Sequence, residues 1–293
     1  MQSTKTFWVL PTLYEQGESK VMRLVLGRLL QCLVAISLSA AMIGCATQPA
    51  PGSGSPSPSP GGLTVSLLSS DGPRAIGPPN MVAARSVPEL KALLHSLRDV
   101  LFHDPDGWDA FAGRQGQVFI ALAAGYCNRV TTVTATTDSD GVVQVDYKTE
   151  RSCSPGAGAA ALPSLNLVSI PRPQLGSGVV TLQITGSYGR ARVDLRQPDF
   201  TRDPATVSSD AMQAVAAIRQ QVAMGTRAPI RELDLMRWPD NALACAPMSA
   251  SVAALPVVGY IVVVDKGPGG IPQPEEFHWS AGKIVDCGPI SGV

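Results

Sequence analysis

Glu276, His278 and Ser280 alternate with Phe277 and Trp279 in a stretch that reads as a strand. An acid, a base and a hydroxyl therefore share one face. Those are the raw materials of nucleophilic acyl transfer, but that chemistry also needs an oriented base and an exposed nucleophile. No Gly-x-Ser-x-Gly elbow occurs in the chain to supply one. The chain has only three histidines. His95 lies between Lys91 and Arg98 on the polar side of a helix. His103 ends the same helix, where a cation suits the dipole. Nothing else completes a catalytic set, so the expectation is that the chain is not an enzyme.

Two further stretches have chemical residues. His103–Asp109, "HDPDGWD", offers oxygen and nitrogen ligands but lacks the spacing and closing Glu of a calcium loop. It reads as a turn. Asp265–Pro272, "DKGPGGIP", is glycine-rich but joins two strands and opens no helix. A phosphate cradle there lacks its dipole, and a hairpin loop is the better reading. No cofactor and no metal are expected.

The cysteines depend on the N-terminal region. Lys20, Arg23 and Arg28 flank an apolar run over Leu29–Ile43. That is the layout of a secretory signal peptide, too short for a transmembrane helix of roughly 20 residues. Met22 offers an alternative start. The border Met42-Ile43-Gly44-Cys45 resembles the bacterial lipobox. The resemblance implies cleavage of residues 1–44 and a lipid on the Cys45 sulfur; the alternative is ordinary cleavage with Cys45 as a passenger. Two or three acyl chains, at about 0.8 kcal/mol per buried methylene, hold a protein on a bilayer. Ala46 after the cysteine resembles an outer-membrane address where the host has two membranes. Residues 45–62 then read as a disordered tether of Pro, Ser and Gly.

Cys32 leaves with the leader, so Cys127, Cys153, Cys245 and Cys287 remain in a compartment where disulfides persist. Four cysteines allow three connectivities. Cys127 and Cys153 fall in one strand-rich segment, Cys245 and Cys287 in another. Local pairing closes two moderate loops, worth about 3.5–4 kcal/mol each in the chain-entropy picture. A four-cysteine metal site is the alternative, but no CxxC spacing supports it.

The formal charge is zero over 293 residues, and without the leader the chain is slightly acidic. That excludes an electrostatic footprint for nucleic acid. Hydrophobic content of 45% is enough for a real core. Ser86-Val87-Pro88-Glu89 is a capping box. The helix it opens has Leu90, Leu93, Leu94, Leu97 and Leu101 on one face and runs to about His103. Strands follow at Gln117–Ala123, Arg129–Thr137, Val142–Thr149 and Leu165–Ile170, with Asp138–Gly141 as a turn. Val179–Thr185 and Ala191–Leu195 form a hairpin, and Pro198–Pro204 a polar link. A second helix spans Ser209–Met224 before Gly225. Strands return at Ile230–Arg237, Val257–Asp265, Glu275–Trp279 and Lys283–Asp286. The fold class is α+β: two small modules, 63–200 and 205–293, each one helix leading into antiparallel strands.

The first half is similar to the C-terminal domain of the PrcB family, named for a lipoprotein subunit of a cell-surface protease complex. "AARSVPELKALL", "DPDGWDAFAGRQGQVFIAL", a Gly-Tyr pair, "GVVQVDYKTE" and "LPSLNLVSIPR" match in order over about residues 80–172. Where that family reads Gly-Gly-Tyr, this chain has Ala124-Gly125-Tyr126-Cys127. The second half, about 208–288, resembles a small module that recurs in envelope proteins. "RWPDNALAC", "VVGYIVVV", "EEFHW" and "IVDCG" are its marks. That resemblance implies a Cys245–Cys287 disulfide. Trp238, Asp240, Gly259, Tyr260 and His278 join Gly125 and Tyr126 as candidate binding residues.

Together these readings give a lipid-anchored, extracytoplasmic bacterial envelope protein. Its expected task is non-catalytic protein binding, and the resemblance implies a secreted or membrane protease that it assembles, retains or inhibits. The alternative is a structural or ligand-binding envelope lipoprotein that contacts peptidoglycan, polysaccharide or a small molecule.

Overall fold

A computed structural model describes residues 61–70, 79–97, 106–125, 127–151, 164–197, 200–222, 228–245, 256–267 and 273–290. The leader, Cys45 and most of the tether lie outside them, as do Tyr126, Cys153, Leu101 and His103. Among the described residues, no helix is long and apolar enough to cross a membrane.

The fold is α+β and dominated by strands, with two α-helices among the described residues. Helix α1, Val87–Ser96, starts at Ser86, whose hydroxyl accepts from the Glu89 backbone N–H. The expected box is altered. The Glu89 carboxylate reaches Arg85, both its N–H and its guanidinium, instead of the Ser86 N–H. Helix α2 spans Pro204–Gln221, five residues longer at its start than the periodicity predicts. Asp203 caps it and Pro204 fills the first turn, where a missing N–H costs nothing. The polar link therefore ends inside a helix.

Thirteen strands form three sheets among the described residues. The first sheet has the order β1-β5-β6-β8-β9: β1 is Gly62–Leu63, β5 Asn128–Thr137, β6 Val143–Arg151, β8 Val179–Ile184 and β9 Arg190–Asp194. The second is β2-β7-β4-β3: β2 is Ser66–Ser69, β7 Leu165–Pro171, β4 Gln117–Ala123 and β3 Met81–Ala84. The third is a meander of β10 (Ile230–Trp238), β11 (Val257–Asp265), β12 (Pro274–Ser280) and β13 (Lys283–Pro289). Two expectations are corrected. Gly62, assigned to the tether, pairs with Thr136. The strands are not all antiparallel, because β6 and β8 pair in parallel after the long excursion through β7.

Burial explains the layering. α1 and α2 pack on each other. Together they cover one face of the second sheet, at Val82, Phe119 and Leu167, and one face of the third, at Leu235, Tyr260, Val262 and Trp279. The other face of the second sheet packs on the first sheet through Met81, Ile120, Val145, Leu182 and Val193. The segments expected as two modules thus share one core among the described residues.

Register in the third sheet sets up everything that follows. Leu235, Tyr260, Trp279 and Ile284 lie in one cross-strand row under the helices. Asp234, Ile261, His278 and Val285 form the next row, on the opposite face. Glu232, Val263 and Glu276 form the row beside that one. The β12–β13 turn has positive φ at both Ala281 and Gly282, which matches a two-residue hairpin of the primed kind.

Gly259 is fixed by a close approach. A Cβ there would lie 2.1 Å from the Trp279 carbonyl oxygen and 2.8 Å from the Ser280 Cβ. Gly259→Ala is expected to destabilise the fold by about 3 kcal/mol, the upper range for overpacking a core. Urea unfolding followed by tryptophan fluorescence measures it; a loss below about 1 kcal/mol contradicts the close approach.

Candidate functional site

Trp238 and Tyr260 are both fully buried, on opposite faces of the third sheet. Neither is an exposed anchor for a partner. Tyr260 donates its hydroxyl to the Val207 carbonyl of α2 at 2.9 Å, which stitches helix to sheet. Burial raises its pKa, so it stays a phenol. Trp238 packs against the His278 ring at 5.1 Å between centroids.

His278 is the centre of a tied loop. After Trp238 the chain leaves β10 and turns at Asp240, which is exposed and accepts from the Ala242 N–H. Leu243, in the left-handed region at φ 56°, plugs its side chain into the small core of Met236, Trp238, Ile261 and Val263. Its carbonyl faces His278 Nδ1 at 3.0 Å. Two residues later Cys245 is disulfide-bonded to Cys287 on β13. Lys283 donates to the carbonyls of Asn241 and Ala242. The disulfide expected from the second-half resemblance is present. Cys127 is also disulfide-bonded, and Cys153 lies outside the described residues.

The face shared by Glu276, His278 and Ser280 is as the alternation predicts, but the groups are already committed. His278 Nε2 meets Glu276 Oε1 at 2.8 Å, so both ring nitrogens have oxygen partners. Ser280 donates to the Val258 carbonyl at 2.6 Å and is buried. A general base needs a free nitrogen, and this ring has none.

A layer of charge, not foreseen from the sequence, lies between the third sheet and β9. Arg190 and Arg192 alternate on β9 and point at the same carboxylates. Arg190 Nε lies 2.7 Å from Glu232 Oε2 and Arg190 NH2 3.5 Å from Glu276 Oε2. Arg192 Nε lies 3.0 Å from Glu232 Oε1, and its NH1 donates to Glu276 Oε1 at 3.1 Å. Glu232 and Glu276 flank Val263 in one row, so the two guanidiniums bridge β10 to β12 from above. Asp234 is fully buried and accepts from the Arg192 N–H at 2.9 Å. Burial, and then the Glu232 charge beside it, push its pKa well up.

A second knot closes the end of β10. Arg237 is buried and donates to Asp194 Oδ2 at 2.9 Å, to the Asp194 carbonyl at 3.0 Å and to the Gln197 carbonyl at 3.0 Å. Its guanidinium lies over the Phe200 ring at 4.9 Å. Burial opposes the Asp194 charge, yet hydrogen bonds from Arg196 and Arg237 hold its carboxyl down to about 2.

The remaining candidates are scattered. Gly125 is exposed beside Cys127, whose φ is 56°. His95 is half-buried at the rim of a groove between the helices. Asp106–Phe111 forms a 3-10 turn rather than a ligand loop, and Asp109 pairs with Lys91 at 2.9 Å. In the glycine-rich loop, Asp265 accepts from the N–H groups of Gly267 and Gln273 and from Arg231. A carboxylate already sits there, which suits a hairpin clip and not a phosphate cradle.

Two outcomes follow from the charged layer. Asp234→Asn keeps the acceptor for the Arg192 N–H and replaces a carboxyl whose charged form burial disfavours, so stability should change by less than about 1 kcal/mol. Glu232→Ala leaves the partly buried guanidiniums of Arg190 and Arg192 with Glu276 as their remaining carboxylate and should cost about 1–3 kcal/mol. Denaturant unfolding of the pair checks both, and equal losses would contradict the assignment. For Asp194, the folded pKa lies below the unfolded 3.8. Its contribution is therefore present above about pH 4 and lost as pH falls towards about 2, on the order of 1–2 kcal/mol. Asp194→Asn should flatten the acid limb of a stability-versus-pH curve in that window.

No protein-family model matches the chain, and neither a curated protein nor a solved structure matches it.

Proposed function

We propose that this chain is a lipid-anchored protein of the bacterial envelope whose folded unit binds a polypeptide without catalysis. The anchor rests on Met42-Ile43-Gly44-Cys45 and the tether that follows. The observation that supports polypeptide binding is the shape of one groove. It holds about 530 Å³ between α1 and α2 and is open along its length. Pro88, Ala92, Ala205 and Met212 supply apolar surface, and Met212 is 41% exposed. The Lys91–Asp109 pair and His95 give it a polar rim. Small ligands favour closed pockets that take most of their surface out of water. An open groove with an apolar floor and a polar rim suits a strand or helix of a partner.

By contrast, the groups that would do chemistry are spent inside. His278 has both nitrogens engaged, and Arg190, Arg192, Arg237, Glu232 and Glu276 are consumed in pairs. A protease that the protein assembles, retains or inhibits is the partner suggested by the first-half resemblance.

The test is affinity capture of the tagged full-length protein from gently solubilised host membranes, with mass spectrometry as the readout. Cys45→Ser should release the protein from the membrane. A secreted or membrane protease should be enriched with the wild type. It should fall by about tenfold in an Ala205→Arg, Met212→Arg variant that melts like the wild type. No enriched polypeptide, from protein that is still membrane-bound, overturns the reading. Sedimentation with cell-wall material would then put a glycan in its place.

A further inference from the structure

The disulfide and the buried histidine meet. One ligand atom each from Cys245, Cys287 and His278 lie within 4.8 Å of one another. Cys245 is exposed and Cys287 half-buried, so a thiol in solution can reach the bond, while His278 is buried behind it. We propose that Cys245, Cys287 and His278 form a redox-gated site for a thiophilic cation such as Zn²⁺: closed as the disulfide, and open to metal once the disulfide is reduced.

The chemistry balances with a dithiol as the reductant. It supplies two electrons and two protons, its own sulfurs join as a disulfide, and Cys245 and Cys287 become thiols. Binding the ion then releases both protons, because the ligands are thiolates. A tetrahedral ion takes sulfur at about 2.3 Å and nitrogen at about 2.0–2.1 Å. That puts the two sulfurs roughly 3.8 Å apart, so they must part from their bonded positions. Cys245 can supply the movement, because it lies on a loop and not in a strand. Two sulfurs and one imidazole leave the fourth position to water or an incoming ligand.

The histidine is prepared for this role. A carboxylate on the far nitrogen of a ligating imidazole fixes the ring and raises its basicity, and such partners matter for affinity. Glu276 holds His278 Nε2 in that way, and Trp238 packs on the ring. The other nitrogen faces the Leu243 carbonyl. Leu243 belongs to the loop that Cys245 carries. Reduction frees the sulfurs, and the ion must then displace the Leu243 carbonyl to take the nitrogen that the loop occupies. The histidine has one role in each redox state, as a clamp on the loop when oxidised and as a ligand when reduced. This site is independent of any partner in the helix groove.

The experiment uses the full chain in mild detergent, with Cys32→Ser and Cys45→Ser removing the two other thiols, with and without a phosphine reductant. Cobalt is the optical probe. The reduced protein should bind one equivalent of Co²⁺, with a thiolate charge-transfer band and tetrahedral d–d bands; the oxidised protein should show neither. His278→Gln should weaken binding by at least about tenfold, and Cys287→Ser should abolish the charge-transfer intensity that two thiolates give. Zn²⁺ should raise the melting temperature of the reduced wild type and leave the oxidised protein unchanged. Three results overturn the proposal. One is no cobalt band in reduced protein that circular dichroism shows to be folded. Another is an equal band in a Cys245→Ser, Cys287→Ser variant, which places the metal on the other cysteine pair. The third is reduced protein that stays unfolded when Zn²⁺ is added.

Discussion

Two guanidiniums on a five-residue strand hold the third sheet to the rest of the molecule. Arg190 and Arg192 each reach both Glu232 and Glu276. The carboxylates on that face of the sheet are placed by this bridge. Glu276 is turned so that one of its oxygens meets Arg192 and His278. Asp234 takes the Arg192 backbone N–H, and burial first and the Glu232 charge second push its pKa up. Such a layer is a poor source of net stability, since desolvation offsets most of the attraction. Its effect is on position. An apolar interface would tolerate a slipped register between β9 and β10, whereas a slip here would bury unpaired charge.

The opposite face works by ordinary packing. Leu235, Tyr260 and Trp279 meet the helices with little polar content apart from the Tyr260 hydroxyl, which Val207 satisfies. The sheet thus has an oily side that fixes the helices and a charged side that fixes β9. The tied loop sits at the end of the charged side, where Leu243 fills the last apolar space. This division accounts for Gly259. The Trp279 backbone comes so close to β11 that no side chain fits.

Much of the local structure was legible. The strand run Gln117–Ala123 and the strand Val257–Asp265 coincide with their predicted limits, because apolar and β-branched residues bounded by turn residues leave few choices. The Ser86 cap was readable from four residues. The start of α2 was missed although Asp203-Pro204 is a cap signal, because the apolar periodicity begins only later. The strands β1, β2 and β3 were missed because they are short and draw their stability from distant partners. The core shared by the two halves was invisible for the same kind of reason: nothing local says that α1 and α2 cover both the second and the third sheet. For the site, alternation correctly placed Glu276 with His278. It could not show that Arg190 and Arg192, more than eighty residues away, would meet them. Trp238 and Tyr260 were candidate binding residues, and their burial depends on which loop and helix fold over each face, which the sequence pattern does not say.

The order of strands also governs how the chain can assemble. In the third sheet every strand pairs with its neighbour in sequence, so its loops close at small entropic cost. The first described strands are different. β1 waits for Thr136, and β2 for Leu167 to Ser169. Contacts of that span are the slow ones in a folding reaction. A chain delivered from its N-terminus thus presents first two segments whose partners lie far along the sequence. The meander that emerges at the end can close at once, and it is β9, already waiting with its two arginines, that captures it.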